Sequence, residues 1–245
     1  MRLRYGSHFH QFGDLLVPDG DGPFPVAVVV HGGFWREQHT LDLGDDLARD
    51  LVRRGFAAWN IEFRRVGEVS GGGWPVTFDD VAAAIDALAG VDAPLDLDRV
   101  IPVGHSAGGH LALLTAVRAD PGVRLAGVVS QAGVYDLVEA DRLDLGEGAT
   151  AKFMGGHADE IPDAYAAASP MEHLPVGVPL LLIHGDADQR VPVDMAHRYA
   201  EAARAADDEV ELIVRPGDDH FVHLDVDSGA WADVVGWLGR FAAAG

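Results

Sequence analysis

The stretch VIPVGHSAG, residues 100–108, decides the fold of this chain. Its first four residues form a short apolar run that predicts a buried strand, and residues 111–117 predict a helix that follows it. The Gly-x-Ser-x-Gly sequence between them is typical of a nucleophile elbow. Gly104 and Gly108 remove Cβ atoms that would clash in so sharp a turn. The stretch therefore predicts that Ser106 is a nucleophile; the alternative is a glycine-rich turn with an incidental serine.

Further short apolar runs predict the other strands, and helical patterns separate most of them. This alternation predicts an α/β fold, in which a mostly parallel twisted sheet is covered by helices on both faces. The predicted strands lie at residues 26–30, 56–63, 126–129, 180–183 and 210–214, with an antiparallel edge strand at 13–17. Periodic apolar residues predict further helices at 43–52, 77–88, 193–205 and 231–241.

Residues 133–177 are too long a segment for a loop without structure of its own. We expect short helices there, and we interpret the segment as a partial lid rather than a cap domain. No linker or internal repeat interrupts the 245 residues. The sequence therefore predicts a single α/β domain over residues 1–245.

The composition and net charge limit the kinds of molecule that this protein is expected to bind. The chain has 39 acidic and 18 basic residues and a formal net charge of −21, which repels nucleic acid and anionic membrane surfaces. It has no cysteine, which excludes a disulfide framework and a cysteine nucleophile. Residues 1–13 contain no apolar run of the length a signal peptide needs, so we expect a cytoplasmic protein. The sequence leaves the oligomeric state open.

A serine nucleophile needs a base, and twelve histidines compete for that role. His220 follows the predicted strand at 210–214 and precedes the last helix. A loop at that place lies at the carboxyl edge of the sheet, over Ser106. His223 is the nearest rival, whereas His197 falls within a predicted helix. We therefore expect His220 to be the base.

The acid is expected in the loop His184-Gly185-Asp186-Ala187-Asp188, which follows the strand at 180–183. Asp188 lies deeper in the loop and fits the Gly-x-x-Asp-x-x-Val pattern common in this type of fold. Asp186 is the alternative, with a loop-capping role as the competing interpretation of its side chain.

An oxyanion site is predicted after the strand at 26–30, in the sequence His31-Gly32-Gly33-Phe34-Trp35. Two glycines let the backbone approach a substrate and turn an amide inward. We expect the amides of Gly33, Phe34 and Ala107 to bind the developing oxyanion.

The elbow, the Asp188 loop, His220 and the His-Gly-Gly run resemble those of the α/β-hydrolase superfamily, over nearly the whole chain. The His-Gly-Gly-aromatic-Trp sequence is similar to that of small cap-less carboxylesterases and aryl (kynurenine-type) formamidases, including bacterial esterases grouped with feruloyl and carotenoid esterases. Residues 60–65 and Trp74-Pro75 also resemble that group. Phe34 stands where the hormone-sensitive-lipase pattern has a third glycine, so the N-terminal cap of that group is not expected.

The resemblance implies a serine hydrolase that cleaves a small carboxylic ester through an acyl-enzyme. In this hypothesis His220 deprotonates Ser106 and Asp188 orients the imidazole, with no cofactor and no metal. An aryl formamidase is the alternative, and a small-peptide hydrolase or a non-catalytic binding protein are further ones. The expected partner is a small ester or formamide.

Other residues near the predicted functional edge are candidates for substrate contact. The expected pocket-lining side chains are Trp35, Trp74, Tyr135, Phe153 and Phe221. Arg64 and Arg65 fit a substrate carboxylate, but we favour a helix dipole or a structural Asp or Glu as their partner. The pair His8 and His10 is interpreted as a polar strand edge rather than a metal site.

Overall fold

The sheet positions every candidate residue, and it is built from eight strands. The strands are β1 (Arg2–Arg4), β2 (Phe12–Leu16), β3 (Phe24–Val30), β4 (Ala57–Ile61), β5 (Leu95–His105), β6 (Val128–Gln131), β7 (Leu180–Gly185) and β8 (Val210–Arg215). The computed structural model describes residues 1–242, and its strand order is β1-β2-β4-β3-β5-β6-β7-β8. The six strands from β3 onwards run parallel to one another, whereas β2 pairs antiparallel with both β4 and β1.

Helices cover both faces of the sheet, as predicted. They are α1 (Asp45–Arg53), α2 (Val76–Asp86), α3 (Ala107–Ala116), α4 (Leu137–Arg142), α5 (Ala149–Met154), α6 (Pro162–Ala168), α7 (Val193–Ala205) and α8 (Gly229–Leu238). Side chains of α1 and α8 belong to one apolar cluster, and those of α2, α3 and α7 to the other. Alternate residues of β3 enter the two clusters: Val28 lies in one and Val29 in the other. This two-sided burial explains the continuous apolar runs of the central strands.

The edge of the sheet differs from the prediction. The antiparallel strand expected at 13–17 is present as β2, but it lies between β1 and β4 and is not the edge. The edge is β1, a strand of only three residues. So short a segment shows no alternation of apolar and polar residues, and for that reason the sequence gives no signal for it.

Residues 133–177 contain three short helices, α4 to α6, as expected. The turn between α4 and α5, residues 143–147, lies against the carboxyl edge of the sheet and lines the cavity described below. We call residues 143–147 the lid turn.

Candidate active site

Ser106 occupies the sharp turn between β5 and α3. Its backbone has φ 55° and ψ −120°, a region that non-glycine residues rarely adopt. A Cβ on Gly104 would collide with the carbonyl oxygen of Gly108, and a Cβ on Gly108 would collide with that of Val30. Both glycines are therefore required for α3 to pack this closely on the sheet, as the elbow pattern predicts.

His220 lies in the loop after β8 and reaches Ser106 across the end of the sheet. Its Nε2 is 2.9 Å from Ser106 Oγ, and its Nδ1 is 2.7 Å from Asp188 Oδ2. All three side chains are almost entirely excluded from solvent. In this geometry the Ser106 hydroxyl donates to His220, and the Nδ1–H of His220 donates to Asp188. The arrangement can move a proton from the serine to the imidazole.

Four donors surround the carboxylate of Asp188. Oδ1 accepts from the amides of Arg190 and Val191 at 2.7 and 2.9 Å, and Oδ2 accepts from His220 and, at 3.1 Å, from His184 Nε2. Burial by itself raises the pKa of Asp188, but the bonds from His184 and His220 outweigh it and hold the pKa far below its usual range. Asp188 is therefore ionised throughout the neutral and mildly acid range.

The alternative acid, Asp186, and the alternative bases, His197 and His223, lie outside the hydrogen-bonded path that joins Ser106, His220 and Asp188. Asp186 accepts a hydrogen bond from the amide of Gly217 at 2.6 Å, which is the loop-capping role. His197 is exposed on α7. His223 is fully buried, and burial lowers its pKa to about 3, so its imidazole is uncharged at neutral pH. None of the three contacts Ser106.

His105, the second residue of the elbow motif, supports the loop that carries His220. Its Nε2 donates to the carbonyl oxygen of His220 at 2.8 Å, and the two ring centroids are 4.8 Å apart. Burial lowers the pKa of His105 well below its usual value. Sequence reasoning missed this contact and the one from His184, although both histidines stand at the carboxyl ends of predicted strands.

The loop after β3 passes directly beside Ser106. A Cβ on Gly32 would lie 2.8 Å from the carbonyl oxygen of His105 and 3.0 Å from Ser106 Cβ, so a side chain at this position is excluded. Gly33 and Phe34 both have positive φ, 113° and 51°. Within residues 1–242 the amides of Gly33, Phe34 and Ala107 have no recorded acceptor. These N–H groups are available to an oxyanion, and Ala107 adds the positive end of α3.

The buried carboxylate of Glu62 holds the loop after β3 in place. It accepts from His31 Nε2 at 3.2 Å, from the Leu41 amide at 3.2 Å and from the Phe63 amide at 2.9 Å, and it pairs with Arg65 at 2.7 Å. Burial raises the pKa of Glu62, but His31 and Arg65 lower it further than burial raises it. Arg65 thus pairs with a structural acidic residue, Glu62, and does not need a substrate carboxylate as its partner. The same holds for Arg64, which pairs with Asp80 at 2.6 Å.

Ser106 and His220 lie in the wall of a cavity of about 510 Å³. Apolar side chains make up much of its wall, and Phe221 and Leu143 are 56% and 38% exposed at its mouth. The other lining residues include Phe34, Leu43, Leu145, Leu224, Arg36, His39, Arg190, Asp144 and Glu147. A cavity with both apolar and polar walls and a serine among them fits a small ester or a molecule of similar polarity.

Most of the aromatic residues predicted to line this cavity do not do so, and for these residues the prediction is wrong. Of the five, Phe221 lines the cavity, whereas Trp35, Trp74, Tyr135 and Phe153 are outside its lining. Trp35, Tyr135 and Phe153 are buried in the core. The Trp35 ring stacks on Phe153 with centroids 4.6 Å apart, and Tyr135 stacks on Tyr199 at 5.0 Å. Their positions along the chain are near the functional edge, but their side chains point into the packing between helices and sheet.

The lid turn contacts the loop after β3 at two places. The Arg36 guanidinium donates to the carbonyl oxygen of Gly146. A Cβ on Gly146 would lie 2.7 Å from Phe34 Cδ1, so the Phe34 ring packs directly on this glycine. This contact is not predictable from the sequence, because it joins residues 110 positions apart.

Two further observations concern metal-ion binding and membrane-spanning helices. His10 Nδ1 is 2.7 Å from Ser70 Oγ, and within residues 1–242 no group of three or more His, Asp or Glu is placed to hold a metal ion. In the same part of the chain, no helix has the length and apolar character needed to cross a membrane.

Comparison with known proteins gives a consistent result. A model of the BD-FAE family matches residues 14–202. Esterase LipQ of Mycobacterium tuberculosis is 28% identical over 197 residues, which are 74% of this chain and 46% of LipQ. Esterase LipC of the same organism is 28% identical over 218 residues, 81% of this chain and 53% of LipC. The chain thus spans about half the length of these curated relatives.

The fold is also that of a solved esterase. The structure of a thermophilic esterase, Est2, from the planctomycete Thermogutta terrifontis superposes with a TM-score of 0.80 at 21% sequence identity. The match covers 100% of this chain and 96% of that one. The α/β-hydrolase fold expected from the sequence is confirmed.

Proposed function

The chain belongs to the BD-FAE family of α/β-hydrolases, and we propose that it is a carboxylesterase that cleaves small carboxylic esters at Ser106. The observation that carries the proposal is the continuous hydrogen-bonded path from Ser106 Oγ to His220, 2.9 Å, and from His220 to Asp188, 2.7 Å. A serine, a base and an acid in this geometry form the machinery for acyl transfer.

In the first half of the reaction, His220 Nε2 takes the proton of the Ser106 hydroxyl while Oγ attacks the ester carbonyl carbon. The carbonyl oxygen becomes an oxyanion, and the amides of Gly33, Phe34 and Ala107 donate to it. The imidazolium of His220 then gives its proton to the leaving alkoxide. An alcohol departs, and the acyl group remains bonded to Ser106.

In the second half, a water molecule takes the place of the alcohol. His220 accepts a proton from that water as its oxygen attacks the acyl carbon, and then returns the proton to Ser106 Oγ. A carboxylic acid leaves. Asp188 remains ionised throughout and stabilises the imidazolium that forms twice in the cycle.

The proposed substrate is small because the cavity is small and partly open. A volume of about 510 Å³ lies in the lower half of the range of about 300–1,000 Å³ for small-molecule sites. Residues 133–177 act in this proposal as a partial lid, since only the lid turn among them reaches the cavity. Two similar proteins are named esterases, and the Thermogutta terrifontis esterase was solved with propionate bound, which supports a short acyl group.

A side-by-side turnover assay tests the proposal. We expect the purified protein to hydrolyse p-nitrophenyl acetate or butyrate with a kcat/KM well above that for N-formylkynurenine. The variant Ser106→Ala, measured in the same assay, is expected to show no turnover above the buffer rate. A kcat/KM that is higher for N-formylkynurenine would replace the esterase by the formamidase, and inactivity on all substrates would overturn the proposal.

A further inference from the structure

We propose that His184 is a positioning residue for the pair Asp188 and His220, and that it sets how readily His220 takes up a proton. The inference rests on the esterase proposed above, but its basis is a separate contact. It concerns a buried histidine that does not touch Ser106 and that the reaction sequence does not use.

The contacts of His184 determine where its ring proton lies. Nε2 is 3.1 Å from Asp188 Oδ2 and 3.0 Å from the carbonyl oxygen of Val191. Both of these atoms only accept hydrogen bonds, so Nε2 carries the proton and shares it between them. His184 is fully buried at the end of β7, and its Nδ1 has no recorded partner within residues 1–242. The hydrogen-bond geometry therefore places the donor proton of His184 on Nε2.

Both imidazoles donate to the same oxygen atom. Asp188 Oδ2 receives the bond from His184 and also the 2.7 Å bond from His220 Nδ1. The hydrogen bond from His184 therefore offsets part of the negative charge on Asp188 Oδ2. Less of that charge remains to stabilise a protonated His220 ring. It also fixes the rotation of the carboxylate, because Oδ1 is held by the amides of Arg190 and Val191 on the other side.

The other titratable groups near His220 do not supply this effect. His105 donates to the carbonyl oxygen of His220, and burial lowers the pKa of both His105 and His223 so that they are neutral. Asp219 is exposed, and its carboxylate accepts from the amides of Phe221 and Val222. Asp188 is thus the one carboxylate that hydrogen-bonds to the His220 ring within residues 1–242, and His184 is the one other side chain that donates to it.

Substitution of His184 tests the inference through the pH dependence of kcat/KM for p-nitrophenyl acetate. In His184→Phe and His184→Asn no donor reaches Oδ2, and we expect the midpoint of the acid limb to rise by about 0.5 to 1 pH unit. For each protein, kcat/KM is divided by its own plateau value. At a pH well below the midpoint, this ratio is expected to be about three- to tenfold lower in the two variants than in the wild type. His184→Gln places an amide donor near Nε2 and is expected to return the midpoint close to the wild-type value. His223→Phe, in the same buried cluster, is the matched control and leaves the midpoint unchanged.

A second measurement does not depend on turnover. The proton between His220 Nδ1 and Asp188 is expected as a low-field proton NMR resonance, assigned by its loss in His220→Ala, whose titration midpoint moves upward in His184→Asn as in the kinetic assay. A lower plateau with an unchanged midpoint in His184→Phe and His184→Asn would show a structural role only and would overturn the inference. An equal shift in His223→Phe would overturn it as well. An inactive wild-type protein would instead contradict the esterase proposal, while the NMR titration would still decide the role of His184.

Discussion

Arg36 and Gly146, which belong to the loop after β3 and to the lid turn, are joined by a hydrogen bond from the Arg36 guanidinium to the Gly146 carbonyl oxygen. The ring of Phe34 packs on the same glycine. The loop that passes beside Ser106 and the lid turn that lines the cavity are therefore held together. We therefore expect the size of the proposed acyl pocket to depend on this contact.

The first prediction concerns the length of the acyl chain. Each methylene that the pocket buries contributes about 0.8 kcal/mol, and one that remains in water contributes almost nothing. We expect kcat/KM to stop rising at about four to six acyl carbons, because the cavity is small and partly open. A series of p-nitrophenyl esters from acetate to palmitate, kept below micelle-forming concentrations, measures this. An optimum at twelve or more carbons would contradict it.

The second prediction is that Arg36→Met moves this plateau to longer chains. Without the bond to Gly146, the lid turn is held by fewer contacts and can yield to a longer acyl group. The relative kcat/KM for the octanoate ester is expected to increase several-fold over that for the acetate. Arg49→Met is the matched control, because Arg49 is exposed on α1 and, among residues 1–242, pairs only with Asp45 and Asp46. An unchanged ester profile in Arg36→Met would show that the lid turn does not limit the pocket.

The third prediction concerns the close approach of Gly32 to Ser106. A methyl group on Gly32 would lie 2.8 Å from the His105 carbonyl oxygen and 3.0 Å from Ser106 Cβ, so the loop must move away. We expect Gly32→Ala to lower kcat by about two orders of magnitude, as the loss of an oxyanion donor does. Gly236→Ala on α8 is the control, because no atom of the described residues, 1–242, lies within 4 Å of the added Cβ. Retention of wild-type kcat in Gly32→Ala would remove this loop from the mechanism.

The fourth prediction is that buried histidines make the fold less stable in acid. Burial lowers the pKa of His223 to about 3 and that of His110 to about 4, below the ordinary value of about 6.5 in the unfolded chain. Between these values the unfolded state binds more protons than the folded state, so stability falls as the pH decreases. Each group contributes up to about 1.4 kcal/mol per pH unit in that window.

Urea unfolding at pH 4.5, 5.5 and 6.5 measures this dependence. The free energy of unfolding of His223→Phe is expected to decrease less steeply toward low pH than that of the wild type. His197→Phe, an exposed position on α7, is expected to leave the slope unchanged. Equal slopes for the wild type and His223→Phe would mean that His223 titrates alike in the folded and unfolded states.

Much of the fold and of the candidate site could be predicted from the sequence, because the sequence patterns that indicate them are local. The elbow around Ser106 is contiguous, and parallel strands bring all their carboxyl ends to one edge, so the loops of Asp188 and His220 were expected beside it. Which aromatic side chains line the cavity could not be predicted in this way. Trp35 and Phe153 stack on each other in the core, and the direction of a side chain near a loop is set by packing between distant elements. The lid turn is a contact of the same non-local kind.

The fifth prediction is that Ser106 and His220 act as one unit. Because both take part in the same proton transfer, each single substitution to alanine is expected to lower kcat by about three or more orders of magnitude. The double variant is expected to be barely slower than either single one. Losses that add in free energy would indicate that the two residues act in independent steps.

The most direct test of Ser106 as the nucleophile is the mass of the intact protein after reaction with a fluorophosphonate. The account predicts one adduct per chain, mapped by peptide sequencing to Ser106, with no adduct on Ser106→Ala and a strongly slowed reaction in His220→Ala. Equal labelling of the wild type and Ser106→Ala, or an adduct on another residue, would contradict the account.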